Sequence, residues 1–149
     1  AMPLEFTPLT GAGPDVSVID PGGAPATIID TGDTFTIRVR WSVDQPGAAV
    51  LGGRWLVRAY AESIGPGQEQ QLGSTRFVNV ANFIPIAGSP PARGYEANID
   101  VPAFTLSAES AASSGVYKLA VIVTHENPNG SPTVLAGHSE GPVIQMREP

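Results

Sequence analysis

Residues 34–43 read TFTIRVRWSV. Phe35, Ile37, Val39, Trp41 and Val43 alternate with Thr34, Thr36, Arg38, Arg40 and Ser42. Successive side chains of a strand point to opposite sides, so a period of two over ten residues describes a half-buried β-strand. The β-branched and aromatic types suit a pleated surface. Wound as a helix, the same apolar residues would scatter round the circumference.

The same rhythm recurs outward from this segment. DVSVID (15–20) and PATIID (25–30) read as two halves of a first edge strand, split by a Pro/Gly break that an edge tolerates. RWLVRAYAESI (54–64) sets Trp55, Val57, Ala59 and Ala61 against Arg54, Leu56, Arg58, Tyr60 and Glu62. LGSTRFVNV (72–80) and YEANIDV (95–101) are the next strands. In 116–125, Tyr117, Leu119, Val121 and Val123 share one side, and Lys118, Ala120, Ile122 and Thr124 the other. A final strand over 132–146 is interrupted near Ser139–Gly141, and Gly141-Pro142 within it suggests a bulge or a sheet-switching kink. Residues 44–53 and 81–94 read as loops. Residues 102–115 connect two strands, with one helical turn expected over Ser107–Ala112.

Seven to eight short strands and almost no helix signal predict an all-β fold, an antiparallel β-sandwich. Gly (17) and Pro (15) are dispersed between the apolar runs, as turns between strands require. The chain has 149 residues, enough for one domain with a core of its own. Residues 15–149 are assigned to it. Residues 1–14, Pro/Gly-rich and without period, read as an N-terminal arm or an expression remnant.

Three features resemble an immunoglobulin-like or fibronectin-type-III-like sandwich: the strand around Trp41, the strand around Trp55, and Gly115-Val116-Tyr117 entering a late strand. The last is similar to a tyrosine corner, in which the phenol bonds back to the chain just upstream. The two cysteines of antibody domains are absent here. The resemblance implies the fold alone, because such sandwiches carry many functions.

The composition excludes several chemistries. No cysteine means no disulfide framework, zinc ribbon or thiol nucleophile. A net charge of −6 gives no drive toward nucleic acid or an anionic membrane. No apolar run approaches the roughly 20 residues of a spanning helix, so no membrane insertion is expected. No G-x-S-x-G elbow is present, no catalytic residue is assigned, and the chain reads as no enzyme. No cofactor and no metal site is assigned either.

Several groups allow a sharper reading beside a plainer one. His125 and His138, with Glu126 and Glu140, flank one hairpin, and a metal-binding or pH-sensitive cluster competes with a structural role. Asp15, Asp20, Asp30, Asp33 and Asp44 sit at loop ends, as calcium ligands or as turn caps. Trp41, Trp55 and Tyr60 form a sugar-stacking platform or, for the two tryptophans, core. Arg38, Arg40, Arg54 and Arg58 form a basic stripe or pair across strands with acids such as Glu62, Glu96 or Asp100. Phe83, Ile84 and Ile86 lie in a loop held extended by Pro85; they cap the core or meet a partner. Of Trp41, Trp55 and Tyr60, only Tyr60 is expected outward. The interaction residues are therefore Phe83, Ile84, Ile86 and Tyr60. The expected function is a non-catalytic structural or protein–protein interaction module that self-associates or joins a larger assembly. A carbohydrate-binding accessory module is the alternative.

Overall fold

The computed structural model describes residues 11–45, 51–67 and 69–149. It is all-β: nine strands in two sheets, with no helix among the described residues. One sheet has four strands, β1 (Gly11–Ile19), β3 (Phe35–Asp44), β7 (Ala92–Val101) and β6 (Ile84–Ile86), in that spatial order. The other has five, ordered β2 (Ile28–Asp30), β9 (Pro132–Arg147), β8 (Val116–Glu126), β4 (Arg54–Ser63) and β5 (Glu69–Asn79). The larger sheet curls, so that β5 reaches β7 across one side while β1 reaches β9 across the other. Both sides of the core are thereby covered.

The segment at 34–43 becomes β3, one of the two inner strands of the four-stranded sheet. Its burial alternates without exception from Phe35 to Asp44. Phe35, Ile37 and Val39 face Val57, Ala59, Leu119 and Val121 of the opposite sheet in one continuous core. Each of these side chains leaves water on folding, which is worth about 1.5–3 kcal/mol for a large aliphatic one.

Four expectations change. The halves of the first edge strand join different sheets: β1 pairs antiparallel with β3, and β2 pairs parallel with β9. The sandwich is therefore antiparallel with one parallel pair. Residues 11–14, expected in the N-terminal arm, belong to β1; the rest of that expected arm, residues 1–10, lies outside the described residues. A short strand, β6, lies inside the 81–94 loop, which brings the count to nine rather than seven or eight. No helical turn forms over Ser107–Ala112. There Ser110 bridges Ser113, and the backbone of Ser107 is held by Tyr117 instead. At Gly141-Pro142 the irregularity is a bulge: between the pairs Lys118↔Val143 and Ala120↔Glu140, two residues of β9 (Gly141 and Pro142) oppose one of β8 (Leu119).

Tyr117 is fully buried. Its hydroxyl donates to Ser107 O at 2.9 Å, accepts from Ser107 N at 3.2 Å, and lies 3.2 Å from Ser113 Oγ. This knot ties the 102–115 connection onto β8. Tyr117→Phe keeps the ring and strands the Ser107 carbonyl. We expect a loss of about 1–3 kcal/mol, read as a lower urea midpoint at unchanged slope. An unchanged midpoint would contradict the knot.

Candidate functional site

Strand β6 pairs with β7 through Ile84↔Gly94, Pro85↔Arg93 and Ile86↔Ala92. It is an outer edge of its sheet. Ile84 is 65% exposed and Ile86 44%. Ile86 lies over Gly94, where an added Cβ would stand 2.9 Å from its Cδ1. Phe83 behaves differently. It packs against the core margin, and the Arg93 guanidinium stacks on its ring at 4.1 Å. The apolar loop residues thus divide: Phe83 turns inward, Ile84 and Ile86 outward. Pro85 has no N–H to offer, so the short edge is poorly suited to accept an added strand. Contact here would run through the two isoleucine side chains.

Tyr60 lies elsewhere, on the outer side of the five-stranded sheet. Its neighbours across the strands are Gln71 and Ala120. The same side carries Leu56, Phe77, Ile122 and Val143, placed by the pairs Leu56↔Phe77, Arg58↔Ile122 and Lys118↔Val143. Phe77 is 51% exposed, Ile122 38% and Val143 47%. An outward sheet side is ordinarily polar, and this one is mixed. Sequence reasoning placed Ile122 outward but attached no role to it. Phe77 and Val143 were missed as contact candidates, although their phase along the strand was readable.

The two tryptophans are core. Trp41 is 7% exposed and Trp55 4%. Trp55 is the centre of an aromatic group, with ring centroids 6.0 Å from Trp41, 5.5 Å from Tyr95 and 5.1 Å from His125. Trp41 stacks on Tyr95 at 5.7 Å. Burial pushes the Tyr95 phenol above its ordinary value, and its hydroxyl donates to Val80 O at 2.8 Å. A sugar-stacking platform of Trp41, Trp55 and Tyr60 is not assembled, since Tyr60 points away on the far side of the sheet. Beside the tryptophans an opening of about 190 Å³ separates β1 from β9, lined also by Val43, Val123 and Leu135. Among the described residues, none that lines it is charged.

His125 is 1% exposed. A carbonyl can only accept, so Nε2, 2.6 Å from Gly52 O, carries the hydrogen there. Nδ1 lies 2.9 Å from Thr133 Oγ1. Both ring nitrogens are therefore engaged, tying Gly52, just ahead of β4, to Thr133 at the start of β9. His138 pairs with Ile122 on the outer side, so the two histidines stand on opposite sides of one sheet. No group of three or more His, Cys, Asp or Glu among the described residues is arranged to hold a metal. His125→Ala would leave Gly52 O without its donor and open a cavity under Trp55. We expect about 2–4 kcal/mol of destabilisation by urea denaturation; an effect of only a few tenths would contradict this role.

The arginines do not form one stripe. Arg38 and Arg40 stand on the outer side of the four-stranded sheet, Arg54 and Arg58 on that of the five-stranded one. Arg40 pairs with Glu96 at 2.7 Å, and Arg54 with Glu126 at 2.8 Å while stacking on Phe77 at 4.2 Å. The Arg40 guanidinium holds the Glu96 carboxyl below its ordinary range. That pair stabilises above the ordinary carboxylate range, and its contribution fades as pH falls through the lowered value. It is a surface pair, worth tenths of a kcal/mol. Lys118 pairs with Glu140 at 3.1 Å, which raises the lysine.

Asp20, Asp30, Asp33 and Asp44 are turn or strand-end residues, whereas Asp15 stands inside β1. Asp20 Oδ1 accepts from Ala24 N at 2.9 Å, and Asp30 pairs with Arg147 at 3.0 Å. Asp33 N donates to Asp30 O at 3.0 Å. Asp15 lies opposite Arg40 on the neighbouring strand. Among the described residues no helix is long and apolar enough to cross a membrane. No protein-family model matches the chain, and no curated protein matches it.

Proposed function

We propose that the chain is a non-catalytic structural module, a β-sandwich subunit that packs against other protein subunits in a larger assembly. The observation that carries this is the exposed apolar pair Ile84 and Ile86 on an ordered edge strand, more than two-fifths of each open to solvent. Side chains of that size gain by being covered, and a folded neighbour is the natural cover. The mixed outer side of the five-stranded sheet supports the same reading.

We place the sandwich among the immunoglobulin-like ones. Lettering the strands as in that fold, the order β1-β3-β7-β6 reads A-B-E-D, and β9-β8-β4-β5 reads G-F-C-C′. The tyrosine corner then falls on F and the buried Trp55 on C, as the fold requires. Leu119, fully buried two residues after Tyr117, stands where an antibody domain has its second cysteine.

Native mass spectrometry tests the assembly reading. The wild type should give species above the monomer, and Ile84→Asp/Ile86→Asp should lose the largest of them without losing thermal stability. Wild-type protein that stays monomeric and retains no other protein would contradict it.

A further inference from the structure

The outer side of the five-stranded sheet has a charge pattern that matches itself when reversed. On β4 the outward residues run Arg54, Leu56, Arg58, Tyr60, Glu62. Arg54 is neutralised by Glu126; Lys118, across from Glu62, forms its ion pair with Glu140 and is drawn by Glu62 only at longer range. Arg58 and Glu62 form no ion pair among the described residues. Two strand steps separate each from Tyr60, so the two charges stand about 13 Å apart and are out of reach of one another. Glu69 lies directly opposite Glu62, which concentrates negative charge at that end. Ala120 beside Tyr60 leaves the centre low, and Ile122 beside Arg58 is apolar and open.

We propose that this side is a two-fold interface between copies of the chain, with Tyr60 at the axis. The inference rests on the reading of the chain as an interaction module. A copy turned about an axis that runs parallel to the sheet and just outside it, across β4 at Tyr60, lays its β4 antiparallel over the first. Arg58 then faces Glu62 of the second copy, and Glu62 faces its Arg58. A two-fold contact needs such self-complementarity: residue i meets j, and j meets i. Charge sets the register, while Tyr60 and Ala120 meet their own copies at the axis and Ile122 lies against the aliphatic stem of the second copy's Lys118. The second surface, Ile84 and Ile86, belongs to the other sheet and stays available, so a dimer formed this way can still join a larger assembly.

Charge reversal tests this by sedimentation velocity. Arg58→Glu alone and Glu62→Arg alone each turn two attractions into two repulsions. Each variant should associate at least about tenfold more weakly than wild type. Mixed one to one, the two variants should regain a dimer. The carboxylate introduced at position 58 of one copy then faces the guanidinium introduced at position 62 of the other, and the untouched Glu62 of the first faces the untouched Arg58 of the second. Wild-type dimerisation should weaken with added salt. A mixture no more associated than its components would overturn the proposal, as would a wild-type dimer indifferent to both reversals. The Ile84→Asp/Ile86→Asp variant separates this from the broader reading: it should keep the dimer while losing larger species. Loss of the dimer in that variant would also overturn the proposal.

Discussion

Gly115→Ala should destabilise the protein by about 2–4 kcal/mol and lower its melting temperature by about 10 °C. The reason is steric and local. Gly115 has φ +73, a conformation that L side chains rarely adopt. A Cβ there would stand 2.5 Å from Glu109 N and 3.1 Å from Ala108 C, both backbone atoms. Neither can swing aside as a flexible side chain would. The same connection is held two residues on by the Tyr117 hydroxyl, so a shift at 108–109 also loosens the bonds to Ser107. Gly115 O accepts from Met146 N at 2.8 Å, which couples the corner to the last strand. Calorimetry reads the result directly. A melting temperature within a degree or two of wild type would show that the corner yields easily. Gly130→Ala is the control: its φ is +86, but nothing lies within 4 Å of an added Cβ, so the backbone cost stands alone.

Trp55→Ala should cost about 3–5 kcal/mol, a large share of the roughly 5–15 kcal/mol that holds a domain folded. Trp55 is the ring that Trp41, Tyr95 and His125 all touch. Removing it leaves a cavity between two sheets that collapses only if β3 and β4 are drawn together, against the core side chains that set their spacing. Each aromatic contact adds about 0.5–1.5 kcal/mol beyond the buried area. Chemical denaturation measures the loss, with Trp41 fluorescence as the probe. A variant within about 1.5 kcal/mol of wild type would mean that the opening beside β1 closes to fill the space. Trp55→Phe should recover much of the loss, because a ring persists at the centre of the group.

The sequence showed faces better than it showed sheets. Alternation at 34–43 and 116–125 placed every inward residue of β3 and β8, His125 included, because phase along a strand is a local property. It gave no account of which strand joins which sheet. Arg38 and Arg58 are both outward, yet they stand on opposite sides of the molecule, since β3 and β4 pair with different neighbours. The histidines show the same limit from the register side: His125 is inward on β8 and His138 outward on β9, and a shift of one residue in register would have brought them to one side. Strand β6 escaped notice because a proline within three residues reads as a loop, and only its pairing with β7 makes it a strand. The contact candidates were partly legible. Ile84 and Ile86 were singled out and stand exposed, whereas Phe83, chosen with them, stacks beneath Arg93. Phe77 and Val143 were passed over because phase marks a residue as outward without marking its outward neighbours as apolar.

The central claim, that this chain works as a subunit that meets its own kind, is tested most directly by the mass of the wild-type protein in solution as concentration rises. In a sedimentation-velocity series at low salt, the weight-average mass should climb from monomer toward dimer and beyond by mass action. A single monomer boundary, unchanged across the series, would contradict the claim.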